Sequence, residues 1–179
     1  MLRMLAIPLV VYLLYDPKGI AEHEWAAFVF AAALITDFFD GLLARKLQAI
    51  TPLGKIMDPV ADKLMIIAGL LMVHHLQYIN VVWVFVLIGR EVIVNSLRTL
   101  AGNYGVTIPS IMSARIKVFT EGFGIGFLML GPNCELLGIY YWEVLGHYCI
   151  NLSVVLASWS AIYYFFYFYK YLKHTNLTA

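Results

Sequence analysis

The sequence predicts an all-α integral membrane protein, a bundle of six transmembrane helices with both termini cytoplasmic. Three observations predict it. Hydrophobic residues make up 62% of the 179-residue chain, and its mean hydropathy of +0.81 is far above what a soluble core requires. Six apolar runs, each near the roughly 20 residues that a helix needs to cross a bilayer, are divided by short polar breaks. Ten of the twelve Lys and Arg residues fall on one side of a six-span arrangement, with Lys18 on the other side and Arg90 inside a span. Basic residues gather in cytoplasmic loops, so that side is assigned to the cytoplasm.

The first helix is expected over Met1 to Tyr15, ending where Pro17 and Gly19 break the chain. The second runs from Trp25 to Arg45, and the third from Pro59 to His74. A fourth, Val81 to Ala101, follows the short polar break "HHLQYIN". The fifth spans Ser113 to Leu130 and stops at "GPN", and the sixth spans Gly146 to Leu172. Repeats, low-complexity tracts and linkers are absent from the sequence, which suggests one domain over residues 1–179. The first apolar run lacks a small-residue cleavage site and is followed by further spans, so it is not expected to be a cleaved signal peptide. A net charge of +1 gives no reason to expect a nucleic-acid partner. Cys134 and Cys149 have no metal-ligand spacing.

Against this apolar background, "DFFDGLLARKLQAITPLGKIMDPVAD" carries four aspartates, Asp37, Asp40, Asp58 and Asp62. Asp37 and Asp40 precede the end of an apolar helix, where an ionised carboxylate costs several kcal/mol unless paired or solvated. Asp37 and Asp40 are spaced i,i+3 and Asp58 and Asp62 i,i+4, so each pair shares one helix face. A connection of about a dozen residues makes the two helices antiparallel neighbours whose cytoplasmic halves can meet. Converging carboxylates repel unless a cation joins them. Two hard divalent ions, Mg²⁺ or Mn²⁺, remove the repulsion, and Mg²⁺ commonly shares its oxygen ligands with substrate phosphates.

Gly41 and Ala44 keep one helix face free of bulk, as a base or diphosphate approaching the backbone requires, although helix packing alone also accounts for small residues. Arg45 can reach a phosphate oxygen or serve as a cytoplasmic anchor. Gly54 allows a turn before the third helix, and Pro59 suits that helix's first turn. Further along, "GREVIVNSLR" sets Arg90, Glu91 and Arg98 in or at the end of the fourth span, with the two arginines about two turns apart on one face. Arg115 and Lys117 follow at the start of the fifth span. These cations outnumber Glu91, so a phosphorylated ligand or a structural ion-pair network is expected to balance them. Glu121 is left without an assigned role, His74 and His75 are expected to be interfacial, and "YYFFYFYKY" is expected to be a lipid-facing and interfacial belt.

The pattern Asp37-x2-Asp40-Gly41-x2-Ala44-Arg45-x8-Gly54-x3-Asp58-x3-Asp62 resembles, at every fixed position, the signature of the CDP-alcohol phosphotransferases. The resemblance implies displacement of CMP from a CDP-linked donor by the hydroxyl of a second alcohol. It implies that Asp37, Asp40, Asp58 and Asp62 hold two divalent ions and that Asp62 also acts as general base. Gly41, Ala44 and Gly54 would border the donor's CDP group and Arg45 would contact a donor phosphate. "GRE…LR", the basic pair ending at Lys117, and Ile7-Pro8 after Arg3 are similar to the phosphatidylglycerophosphate synthase branch. Its donor is CDP-diacylglycerol and its acceptor sn-glycerol 3-phosphate, which makes Arg90, Arg98, Arg115 and Lys117 the expected acceptor-phosphate residues. Two features depart from the branch: the chain opens at "MLRM" without the polar segment that precedes this arginine elsewhere, and Val118 stands where a hydroxyl residue often follows the lysine. A homodimer in a cell membrane, of bacterial inner-membrane type and with its active site facing the cytoplasm, is implied as well. Cardiolipin synthase and inositol-phosphate-using synthases remain alternatives within the family. A divalent-cation transporter is the alternative outside it, although such proteins place their charges near the bilayer midplane.

Overall fold

A computed structural model describes residues 2–47, 52–103, 111–131 and 141–174, with the side chains of residues 2, 37–47, 52–59, 103 and 171–174 outside the description. Among the described residues there are six α-helices and no strands: α1 (Leu2–Tyr15), α2 (Ile20–Leu47), α3 (Pro52–His75), α4 (Val81–Asn103), α5 (Met112–Leu130) and α6 (Trp142–His174).

The helices correspond to the six apolar runs, but several ends lie elsewhere. α2 starts at Ile20 instead of near Trp25, because the polar turn "IAEHE" folds into it. There the Lys18 backbone N–H donates to the Glu22 carboxylate, and an acidic first turn complements the positive helix end. α3 starts at Pro52, seven residues before Pro59. Pro52 takes the first helical position, where a missing N–H costs nothing. Pro59 therefore lies inside α3 and not in its first turn, and Gly54 is in the helix instead of a turn before it. The connection between α2 and α3 is accordingly residues 48–51, not a dozen residues. At the far end of α3, Gln77 adopts φ 63° and the Tyr78 N–H donates to the Val73 carbonyl at 3.1 Å, a left-handed helix stop. Asn80 then opens α4, its Oδ1 accepting from the Val82 N–H at 2.9 Å.

α5 and α6 form the most extensive pair, α1 packs on both α2 and α3, and α5 also packs on α2 and α3. Small residues let the backbones approach: a methyl group added to Gly69 would lie 2.7 Å from Ile125, and one added to Gly146 would lie 2.6 Å from Leu128. Leu14, Phe30, Met65, Leu87, Ile125 and Leu128 are buried members of the main hydrophobic cluster, while Arg90, Lys117, Glu121, Ser153 and Ser160 are polar side chains buried in the bundle. Outside it, large apolar side chains face outward all round, among them Phe28, Phe85, Phe119, Trp159 and Phe166.

One helix, over Trp142–Lys170, is long and apolar enough among the described residues to cross a membrane by itself; Arg3–Tyr15 is a shorter apolar helix. Charges within the other helices dilute their apolar windows. On α6 the buried residues Ile150, Ser153, Val154, Ala157, Ser160 and Tyr164 recur at helical spacing. The aromatic run is therefore not uniformly a lipid-facing belt: Tyr163, Phe165 and Phe166 are exposed, whereas Tyr164 is fully buried.

Candidate active site

Chain direction brings the starts of α1, α3 and α5 and the ends of α2, α4 and α6 to one end of the molecule. Contacts between α1 and α3 and among α4, α5 and α6 hold that end together. The last turns of α2 carry Asp37, Asp40, Gly41, Ala44 and Arg45, and the first turns of α3 carry Gly54, Asp58 and Asp62. Of these, only the Asp62 side chain lies within the described residues; the others lie outside them. The Asp62 carboxylate is half exposed and forms an ion pair with the buried guanidinium of Arg3, on the first turn of α1. Among the described residues no three His, Cys, Asp or Glu side chains converge on a point. In donor chemistry, four carboxylates on neighbouring helix ends suit hard divalent cations.

A second charged group joins α4, α5 and α6. Arg90 is buried; its Nε and Nη2 donate to Ser160 Oγ at 3.1 and 2.9 Å, and its Nη1 to Glu91 Oε1 at 2.8 Å. Lys117, with no exposed surface, donates to Glu91 Oε1 at 2.9 Å and to Glu121 Oε2 at 2.6 Å. Two cations and two carboxylates thus cancel formally, which is how charges persist in an apolar interior. Glu121, unassigned from sequence, is the second counter-charge of Lys117, and its Oε1 is buried without a hydrogen-bond partner.

Arg98 and Arg115 lie nearer the end of the bundle and are exposed. Arg98 Nη2 donates to the Tyr164 hydroxyl at 2.7 Å. The same hydroxyl accepts the Ile111 N–H at 3.2 Å, tying down the residue that precedes α5. Arg90 and Arg98 therefore do share a face, and it is turned toward α6, where Ser160 and Tyr164 stand one turn apart. Sequence reasoning missed three participants: Arg3, Ser160 and Tyr164. The recurrence of small residues at 153, 157 and 160, one turn before Tyr164, was the available signal for α6. For Arg3 the signal was its place in the resemblance at the start of the chain, which did not indicate its partner, 59 positions away. At the opposite end, the His74 and His75 rings contact the carbonyls of Ile79 and Tyr15 at 2.8 and 2.9 Å.

Comparison with known proteins shows the family of the chain. Residues 1–161 match the CDP-alcohol phosphatidyltransferase family. A Rickettsia typhi protein named CDP-diacylglycerol–glycerol-3-phosphate 3-phosphatidyltransferase is 31% identical over 91% of this chain and 90% of its own length. A Pseudomonas fluorescens protein of the same name is 34% identical over 91% of this chain and 84% of its own. One from Shigella flexneri, also so named, is 28% identical over 90% of this chain and 87% of its own. With nearly its whole length matched, the chain belongs to the CDP-alcohol phosphatidyltransferase family and is an enzyme of that type.

Proposed function

We propose that this protein transfers the phosphatidyl group of CDP-diacylglycerol to sn-glycerol 3-phosphate, forming phosphatidylglycerophosphate and releasing CMP. The observation that carries it is the complete aspartate pattern from Asp37 to Asp62 in a chain whose relatives share that reaction in their names.

Asp37, Asp40, Asp58 and Asp62 are the ligands of two divalent ions, Mg²⁺ or Mn²⁺, which when bound neutralise charge on the diphosphate and polarise the attacking hydroxyl. Asp62 takes the proton of that hydroxyl as its oxygen forms a bond to the β-phosphorus, the one bearing diacylglycerol. The phosphoanhydride bond to CMP breaks, and CMP leaves with the electron pair. Gly41, Ala44 and Gly54 leave room for the CDP moiety, and Arg45 holds a donor phosphate.

The acceptor phosphate is held by Arg90, Arg98, Arg115 and Lys117. Within this group Arg90 and Lys117 are already balanced by Glu91 and Glu121. The attraction for a phosphate that remains includes that of exposed Arg98, set by Tyr164. The chain is one domain of six membrane-crossing helices, with both termini and the active site at the cytoplasmic face of a bacterial inner membrane, and it works as a homodimer. Its outward-facing apolar side chains and its one-sided Lys and Arg support this placement.

The test is CMP release by purified protein in detergent with CDP-diacylglycerol and Mg²⁺, comparing glycerol 3-phosphate, inositol phosphate, serine and phosphatidylglycerol as acceptors. Release stimulated by glycerol 3-phosphate alone is the expected result. Stimulation by phosphatidylglycerol would make it a cardiolipin synthase, and by inositol phosphate the corresponding synthase. Without CMP release, metal uptake into sealed vesicles would instead indicate a transporter.

A further inference from the structure

Glu121 is 2% exposed and lies one turn along α5 from Lys117. Its Oε2 accepts from the Lys117 ammonium at 2.6 Å, and its Oε1 has no hydrogen-bond partner among the described residues. A methyl group added to the next residue, Gly122, would lie 3.4 Å from Leu34 of α2, and Leu34 precedes Asp37 by about one turn. Glu121 therefore stands close to the level of the aspartates. Lys117 uses only one oxygen of Glu121, and a neutral side-chain amide would supply that acceptor as well. What the carboxylate adds is charge. Without it, Arg90 and Lys117 would share Glu91 alone, since both donate to Glu91 Oε1. That trio would carry one net positive charge in an apolar interior, where a phosphate is attracted strongly. With Glu121 present, the four charges cancel before any ligand arrives.

Tighter binding of the acceptor phosphate is no gain in this reaction. The phosphate of glycerol 3-phosphate is carried unchanged into phosphatidylglycerophosphate, so a contact that holds it before transfer also holds the product afterwards. Such uniform binding lowers KM without raising kcat. We propose that Glu121 is a positioning residue of the acceptor site that limits its hold on phosphate: acting through Lys117, it cancels a charge that would otherwise bind acceptor and product too tightly. The inference rests on the reading that the acceptor phosphate lies among Arg90, Arg98, Arg115 and Lys117.

Full-length wild type, Glu121→Gln, Ser160→Asp and the double variant test this by CMP release in detergent with Mg²⁺. The readouts are the KM for glycerol 3-phosphate, the Ki of inorganic phosphate competing with it, and the KM for CDP-diacylglycerol. Glu121→Gln keeps an oxygen for Lys117 and breaks no hydrogen bond at the unpartnered Oε1, so the change is one of charge. It is expected to lower the glycerol 3-phosphate KM and the phosphate Ki about tenfold, with the CDP-diacylglycerol KM unchanged. Ser160 Oγ accepts Arg90 Nε and Nη2, so Ser160→Asp adds one negative charge to the same group. It should raise both values about tenfold. The double variant restores the net charge and should return both to wild type.

A purely structural Glu121 would lower the melting temperature in Glu121→Gln and leave KM and Ki unchanged or raised, which overturns the proposal. A double variant that stays away from wild-type values overturns it too. If Glu121→Gln does not fold, Ser160→Asp decides: unchanged KM and Ki there are fatal to the idea. Arg98→Ala, run in parallel, separates the failures. Wild-type KM and Ki in Arg98→Ala would move the acceptor phosphate away from this group altogether. Raised values there, with no change in Glu121→Gln, would remove only the role of Glu121.

Discussion

Lys117 has no exposed surface and two carboxylate partners, so removing its charge strands Glu121 and leaves Glu91 with Arg90. Lys117→Met should lower stability by about 3–5 kcal/mol, seen as a drop in the detergent melting temperature. Adding Glu121→Leu should restore part of the loss, because the stranded carboxylate is then gone. Tyr164 is a different case, since its hydroxyl accepts both the Arg98 guanidinium and the Ile111 N–H. Tyr164→Phe should cost about 1–3 kcal/mol and raise the KM for glycerol 3-phosphate while sparing that for CDP-diacylglycerol. Asp62→Asn should abolish CMP release and leave the melting profile of a folded protein. At this scale residue types and spacing marked Arg90, Glu91, Arg98 and Lys117 as charges needing partners. They did not indicate which partners, because Ser160 and Tyr164 come from a helix about 70 positions further along.

For the helices, apolar runs located all six, and breakers such as Pro17 and Gly19 marked where α1 gives way to α2. Boundaries were harder, because polar first turns like "IAEHE" and "PLGK" carry no apolar signal and still form helix once a cap and the rest of the helix support them. Pro52 and Pro59 illustrate the ambiguity, as either could open a helix and the earlier one does. Pairing between helices is governed by close approach at glycine. A Cβ on Gly146 would sit 2.6 Å from Leu128 Cγ, and Leu128 is itself fully buried. Gly146→Leu should therefore force α5 and α6 apart and cost about 1–3 kcal/mol or more. The melting temperature would report this, whereas Gly19→Ala, with open space around it, should melt as wild type.

Across the whole molecule, the one-sided distribution of Lys and Arg predicts an orientation that can be tested directly. After Cys134 and Cys149 are replaced by serine, Lys18→Cys should react with a membrane-impermeant thiol reagent added outside intact spheroplasts. Ala179→Cys should react only after permeabilisation; the reverse pattern would invert the topology. Composition by itself determined the helical, apolar character of this protein, because a chain this rich in large aliphatic and aromatic residues exposes more apolar surface than water tolerates. The aspartate pattern pointed to the family through its resemblance to a known signature, and residues 1–161 match that family; its i,i+3 and i,i+4 spacings place carboxylates on shared helix faces whatever the tertiary arrangement. Only the tertiary structure decided the charge partners: Arg3 with Asp62, Lys117 between Glu91 and Glu121, and Arg90 against Ser160. Those pairs join helices distant in sequence, and buried charge is balanced by what lies within about 3–4 Å in space, not by what is near in the chain.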